Sequence, residues 1–235
     1  MSLVFLAPLL ATLLAADHEG AAAEPRVEAW VGHQVLKGKR KIPLYGEKET
    51  HTENYTIAEI HRSEGRIDIR QKTCRIEVQP IKGVAPSMTT ETVLRLPRSH
   101  AMFDLAADGA LSAEPWTTGW GEDDIEGDGH PGATVHISGS KCSGEVYVSN
   151  ESTTTLVSGR ATQEGATGEI SVHMKQKILG ATGLCLKLMA GDSDETQTGW
   201  FAWKRIPTGQ NCRTLLEHPW PVKAVPPAAA RAQSQ

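Results

Sequence analysis

Cysteine is scarce in this chain, with four in 235 residues. So few cannot serve as the framework of a disulfide scaffold. A chain this long buries enough surface to fold without such staples, even with a hydrophobic fraction of 39%. No Cys-x-x-Cys or closely spaced Cys/His pair is present, which argues against a structural zinc site. The chain also lacks a basic stripe: 24 lysines and arginines face 28 acids, a balance that argues against nucleic acid as a partner. No G-x-S-x-G elbow, H-E-x-x-H helix or glycine-rich phosphate loop occurs, so the commonest hydrolase, metalloprotease and nucleotide-binding signatures are missing.

No apolar run reaches the length of a membrane-spanning helix. The opening stretch, MSLVFLAPLLATLLAA, is short and interrupted by proline, and Ala21 to Ala23 follow it. It reads as a secretory signal over residues 1–23, although no Lys or Arg precedes the apolar core. No cysteine follows at once, so a lipid-modified N-terminus is not indicated. Removal of Asp17 and Glu19 with the signal leaves an acid excess of about two. The expected location is secreted or periplasmic, where thiols oxidise, and Cys74, Cys142, Cys185 and Cys212 then read as two disulfides. Three pairings are possible. Cys185 with Cys212 would close a short loop and leave Cys74 with Cys142.

The body of the chain alternates in period two between glycine and polar turn clusters, the pattern of half-buried strands. Val27, Ala29, Val31, His33 and Val35 alternate, as do Val146 and Val148, then Ile170, Val172 and Met174, then Leu184, Leu186 and Leu188. Ile67 and Ile69 stand at odd positions whereas Cys74, Ile76 and Val78 stand at even ones. The parity must flip near Gln71 to Thr73. Further strands are expected over 51–61, 89–96, 101–106, 132–138, 153–159 and 198–206, with Asp108-Gly109 marking a hairpin. No amphipathic helix is evident after the signal. About ten strands in succession predict an all-β fold, an antiparallel up-and-down β-barrel whose closure removes exposed edges, with a β-sandwich as the alternative.

One domain is expected over 24–216. From Glu217 the sequence EHPWPVKAVPPAAARAQSQ is rich in proline and alanine, which predicts an unpacked, disordered tail over 217–235. Trp30 near the start and the aromatic last strand GWFAWKRI, with Arg205 near its end, resemble the calycin group of lipocalin-like secreted barrels. The departure is Glu28, where that group carries glycine. The resemblance implies fold class and not activity, because one architecture hosts many functions.

The strongest local signal is EDDIEGDGHPG. Asp124, Glu126 and Asp128 stand at alternate positions ahead of Gly129, a spacing similar to extracellular calcium loops, with Asp123 and the carbonyl of His130 as further ligands. Val135 occupies the twelfth position, where EF-hands place a bidentate glutamate, so a true EF-hand is not expected. Against a Ca2+ site stands a plain solvated turn. Trp116 and Trp120 just before it are expected in the longest loop, either as contacts for a ligand, a glycan or a partner surface, or as a cap on the barrel end. Ser138, Ser140 and Ser143 lie close to His136, but serines around a glycine between strands are usually turn residues. Asn54 in NYT and Asn150 in NES match the glycosylation acceptor pattern and imply exposed turns or strand edges.

These readings favour a non-catalytic binding module for a small apolar ligand or a surface partner, ahead of a structural envelope-associated protein, with a hydrolase third. The valines and alanines of VEAWVGHQV, read as inward-facing, leave space in the lumen.

Overall fold

The structure, a computed structural model, describes residues 26–42, 46–140 and 142–226. The expected signal over 1–23 and the tail beyond Pro226 lie outside them. Eleven strands are present among the described residues: β1 (Arg26–Ile42), β2 (Gly46–Ser63), β3 (Arg66–Val78), β4 (Val84–Ser87), β5 (Ser99–Leu105), β6 (Leu111–Ser112), β7 (Trp116–Trp120), β8 (Ala133–Gly139), β9 (Gly144–Ala161), β10 (Gly165–Ala181) and β11 (Ser193–Ile206). Three short helices interrupt them: α1 (Thr90–Arg95), α2 (Gly183–Met189) and α3 (Cys212–Leu216).

The expected all-β class is what forms, as one antiparallel sheet curled into a half-barrel. The sheet consists of two meanders. β1-β2-β3-β5-β6 and β8-β9-β10-β11 each run in chain order, and the pairing of β11 with β1 joins them. β9 is long enough to use its free edge three times, for β8 at its start, β7 in its middle and the bridge from Ala110 to Arg160 at its end. That bridge brings the two flanks of the curled sheet together. The Asp108-Gly109 hairpin makes it possible: Gly109 has φ +87°, and its carbonyl accepts the Ala161 N–H at 2.8 Å.

The parity flip in β3 is a bulge. Thr56 pairs with Thr73 and Tyr55 with Arg75, so Cys74 is the unpaired extra residue, just past the expected interval. Thr73 and Ile76 therefore both reach the interior, while Cys74 bonds Cys212 of α3. The other disulfide joins Cys142 to Cys185. All four cysteines are paired, but the short Cys185–Cys212 loop is not used, because β11 separates those residues.

Two expected strands are helices. In TTETVLRLP, Thr89 caps α1 by accepting the Thr92 N–H at 3.0 Å, and Val93 and Leu96 share the buried face. The local cap outweighs the strand propensity of Thr and Val, and Pro97 follows directly. In GLCLKLM, Gly183 enters α2 at φ +70°. Leu186 and Met189 then point inward three residues apart, which period two cannot produce.

One end of the curl is plugged. Trp30, Ile60, Ile67, Ile69, Phe103 and Phe201 form the main apolar cluster there, with Trp116 and Trp203 packed against it. Trp30 donates its indole N–H to Glu28 at 2.8 Å, so the glutamate two residues before it is the partner of the buried tryptophan.

In β1 the inward residues are Trp30, Gln34 and Leu36, so the valines of VEAWVGHQV face outward, contrary to expectation. Val31 and Val35 are buried nonetheless, because the C-terminal segment crosses the outside of β1 and β2, whereas Val27 is 53% exposed. Val222 and Ala224 pack on Val35 and Ala202, and Trp220 donates to the Gly32 carbonyl at 3.0 Å. The expectation of an unpacked tail from Glu217 is thus corrected as far as Pro226. Proline denies this segment a place in the sheet, but it adds apolar cover to the sheet's outer face.

Candidate functional site

Beyond the plug the curl encloses a cavity of about 460 Å³. That is within the range of roughly 300–1,000 Å³ typical of small-molecule sites. Its walls follow from register. Across β11, β1 and β2 the inward rows are Phe201–Gln34–Asn54, Gly199–Leu36–Thr52 and Gln197–Gly38–Thr50. A Cβ on Gly38 would stand 2.7 Å from Cγ of Gln197; its absence lets Gln197 cross the strand and donate to Thr50 at 3.4 Å. At the next level Arg40 forks onto Glu195, with Nε at 3.2 Å and Nη2 at 3.0 Å, and Gln197 adds a bond to Glu195 at 2.8 Å. Glu195 is buried, and this bidentate pairing is the arrangement that makes a buried carboxylate tolerable.

The facing wall is apolar. Val146 and Val148 of β9, Ile178 of β10 and Leu186 of α2 form one cluster with Val135 and Ile137 of β8. The Cys142–Cys185 bridge fastens α2 to the segment between β8 and β9, so the helix is held over this wall. The cavity therefore has one side of amides and hydroxyls and, facing it, an aliphatic patch bordered by Asn150, Ser152 and Thr154 of β9.

Trp116 and Trp120 lie on a strand, not in the longest loop. They are the two ends of β7, and both line the cavity. Trp116 packs edge-on against Phe103 with ring centroids 5.3 Å apart. Trp120 donates to the Val148 carbonyl at 2.8 Å. The acceptor-pattern asparagines are inside as well: Asn54 donates to Gln34 at 2.8 Å and Asn150 to Ser152 at 2.9 Å, so neither marks an exposed turn.

The acidic loop follows β7. Asp124 accepts the backbone N–H groups of Gly127 at 2.7 Å, Asp128 at 3.2 Å and Gly129 at 2.8 Å. The Gly129 bond does most to hold its carboxyl below the usual range, and the other two assist. Asp128 accepts from the His130 N–H and the Thr134 hydroxyl, and Glu126 from the Thr134 N–H. The second oxygen of Glu126 is buried without a partner. Glu122 turns away to Lys177, and the His130 ring stacks on Tyr147 at 4.0 Å. These bonds join the loop to itself and to the start of β8. Among the described residues no three His, Cys, Asp or Glu side chains are grouped as a metal site.

The serines near His136 form no catalytic pair. Ser138 donates to the Ala85 carbonyl at 3.4 Å, and His136 faces Glu145 at 3.5 Å.

Sequence reasoning missed a polar cluster on the outer face of β1 and β2. Glu53 receives His33 at 2.8 Å, His51 at 3.1 Å and the Tyr55 hydroxyl at 3.0 Å. Burial raises the Glu53 pKa, but the three hydrogen bonds together outweigh it and leave the carboxyl below its ordinary value. Burial, and then Glu53 itself, push the Tyr55 phenol up. The signal was present: His33, His51, Glu53 and Tyr55 all stand at odd positions on adjacent strands. The odd parity of β1, which carries His33, is the one expected to face the lumen, and 51–61 carries no expected facing.

Compared with protein-family models, curated proteins and solved structures, the chain matches none of them.

Proposed function

We propose that this protein is a non-catalytic binding module of the secreted or periplasmic space, holding a small amphipathic molecule in the curl of its sheet. The observation that carries the reading is the cavity of about 460 Å³ with an aliphatic wall and a hydrogen-bonding wall. A purely structural protein would gain stability by filling such a space, since interiors otherwise pack to near-crystalline density. Two disulfides among the described residues support the compartment, because such bonds persist where the medium oxidises. No described helix is long and apolar enough to cross a membrane.

The test is native mass spectrometry of protein purified from its own host, paired with titration of the stripped protein by a neutral fluorescent probe, N-phenyl-1-naphthylamine. Thr52, on the polar wall, is replaced by tryptophan to fill the cavity. A retained small molecule, and probe binding that Thr52→Trp abolishes while the fold melts normally, are the expected results. No retained mass and equal probe signal in both proteins would remove the reading.

A further inference from the structure

Resting on that reading, we propose that the polar part of the ligand is uncharged and hydroxyl-bearing, as in a monoacylglycerol or a glycosylated lipid, and not a carboxylate or phosphate. The argument begins with charge. Among the described residues only Arg40, Lys41, Lys82 and Glu195 carry charge on the cavity wall. Arg40 is committed to Glu195, whose side chain is only 3% exposed, and Gln197 completes that carboxylate's bonding. Drawing Arg40 away to a ligand anion would leave a buried negative charge unpaired, which outweighs the new contact. Lys41 and Lys82 are exposed, the former near the end of β1 and the latter in the turn before β4. Water screens them, so they give an incoming anion little.

What remains inside is neutral and incompletely bonded. Thr56 on β2 and Thr154 on β9 are 8% and 5% exposed, and both line the cavity. Neither hydroxyl has a hydrogen-bond partner among the described residues, and neither oxygen is sealed from the cavity. Gln34 accepts from Asn54, which leaves the amide N–H groups of Gln34 and the carbonyl of Asn54 free. β2 and β9 are four strands apart round the sheet, so these groups converge on the space from separate sides. Each can donate, accept or both, and none carries charge. A headgroup with several hydroxyls satisfies such a set. An anion finds donors without a counter-charge, and a plain alkane leaves them all unpaired.

The ligand's chain then lies on the aliphatic wall of β8, β9 and α2. Dispersion and burial along Val146, Val148 and Leu186 hold it, while the hydroxyl contacts select the headgroup.

The experiment displaces N-phenyl-1-naphthylamine from the stripped full-length protein with monolauroylglycerol and, separately, with laurate at pH 7.5. The expected result is at least tenfold tighter binding of the glyceride. Thr56→Val and Thr154→Val, alone and together, remove the hydroxyls at nearly constant volume. They should weaken the glyceride several-fold and leave laurate unchanged, and Thr154→Ser should restore the loss. Thermal melts confirm that each variant is folded. Laurate binding as tightly as the glyceride, or valine variants that keep full glyceride affinity, would overturn the headgroup assignment while the cavity reading stands. If neither compound displaces the probe and Thr52→Trp does not block it, the cavity reading falls as well.

Discussion

Ala224 and His33 are 191 residues apart in the chain, and the backbone N–H of Ala224 donates to Nδ1 of His33 at 2.9 Å. An accepting Nδ1 carries no proton, so the ring proton sits on Nε2 and is donated to Glu53. One imidazole thus ties the C-terminal segment to the outer face of β2. Tyr55 packs beside it, with ring centroids 4.7 Å from His33 and 5.5 Å from Trp220.

Acid should therefore loosen this segment before it unfolds the sheet. Protonation of Glu53 weakens the acceptor that holds the His33 Nε2–H, and with it the ring that anchors Ala224. The groups facing His33 are Glu53, with His51 and Tyr55 bonded to it, Glu77, which accepts from the Tyr55 hydroxyl, and Arg75 over the Tyr55 ring. Glu53 has a lowered pKa, so its contribution is complete above the ordinary carboxylate value and is lost as pH falls through the lowered one. Amide exchange at Ala224 should accelerate on acidification while β1 and β2 stay protected. His33→Ala should show the fast exchange already at neutral pH. Uniform acceleration across the sheet would disprove a separate release of the segment.

The acidic loop should behave as a hydrogen-bonded turn. Asp124→Ala removes the acceptor for three backbone N–H groups, so amide protection at Gly127 and Gly129 should vanish while the sheet is unchanged. The lowered Asp124 pKa gives a contribution that is present at neutral pH and fades only as pH falls through that lowered value. Calcium and chelator should give superimposable thermal melts, since the Asp124 oxygens are already engaged. A calcium-dependent rise in midpoint, lost in Asp124→Asn with Asp128→Asn, would instead establish the calcium loop expected from the spacing.

The two disulfides should differ in what they contribute. Cys74–Cys212 closes 138 residues and Cys142–Cys185 closes 43. In the chain-entropy limit these are worth about 5 and about 4 kcal/mol. Paired serine variants followed by urea unfolding should rank in that order. Only loss of Cys142–Cys185 should also weaken probe binding, because it frees α2 from the cavity wall.

Within α2 the inward and outward faces should separate cleanly. Leu186→Ala cuts a buried contact and should cost about 2–4 kcal/mol. Leu184 and Leu188 are 76% and 72% exposed, and their joint replacement by serine should stay within about 0.5 kcal/mol. Equal effects would mean that the helix packs differently.

The sequence announced the long strands, though not β4 or β7, together with the Asp108-Gly109 hairpin and the bulge in β3, because each of these leaves a period-two signature or a turn residue in the chain. It did not announce the helices, since Leu184, Leu186 and Leu188 alternate as in a strand, and only contact with the apolar wall selects Leu186 and Met189. The facing of β1 is not legible from alternation, for a related reason. Once the C-terminal segment covers the outer surface, both parities of β1 carry buried residues, and alternation no longer says which side is the lumen. Space in the lumen was expected, but its polar wall was illegible, because that wall is made of Thr, Asn and Gln, residues that read as solvent-facing until the curl of the sheet turns them inward.

The pairing of β1 with β11 has a kinetic side. Val35 meets Trp200 across that seam, so the two halves of the cavity are joined by a contact between nearly opposite ends of the chain. Loop closure over such a span is slow, and topologies dominated by distant contacts fold in milliseconds to seconds. Each meander can zip up from local hairpins while the seam is still open. The cavity is therefore expected to close last, when β1 meets β11, and until then it stands as an open trough between the two meanders.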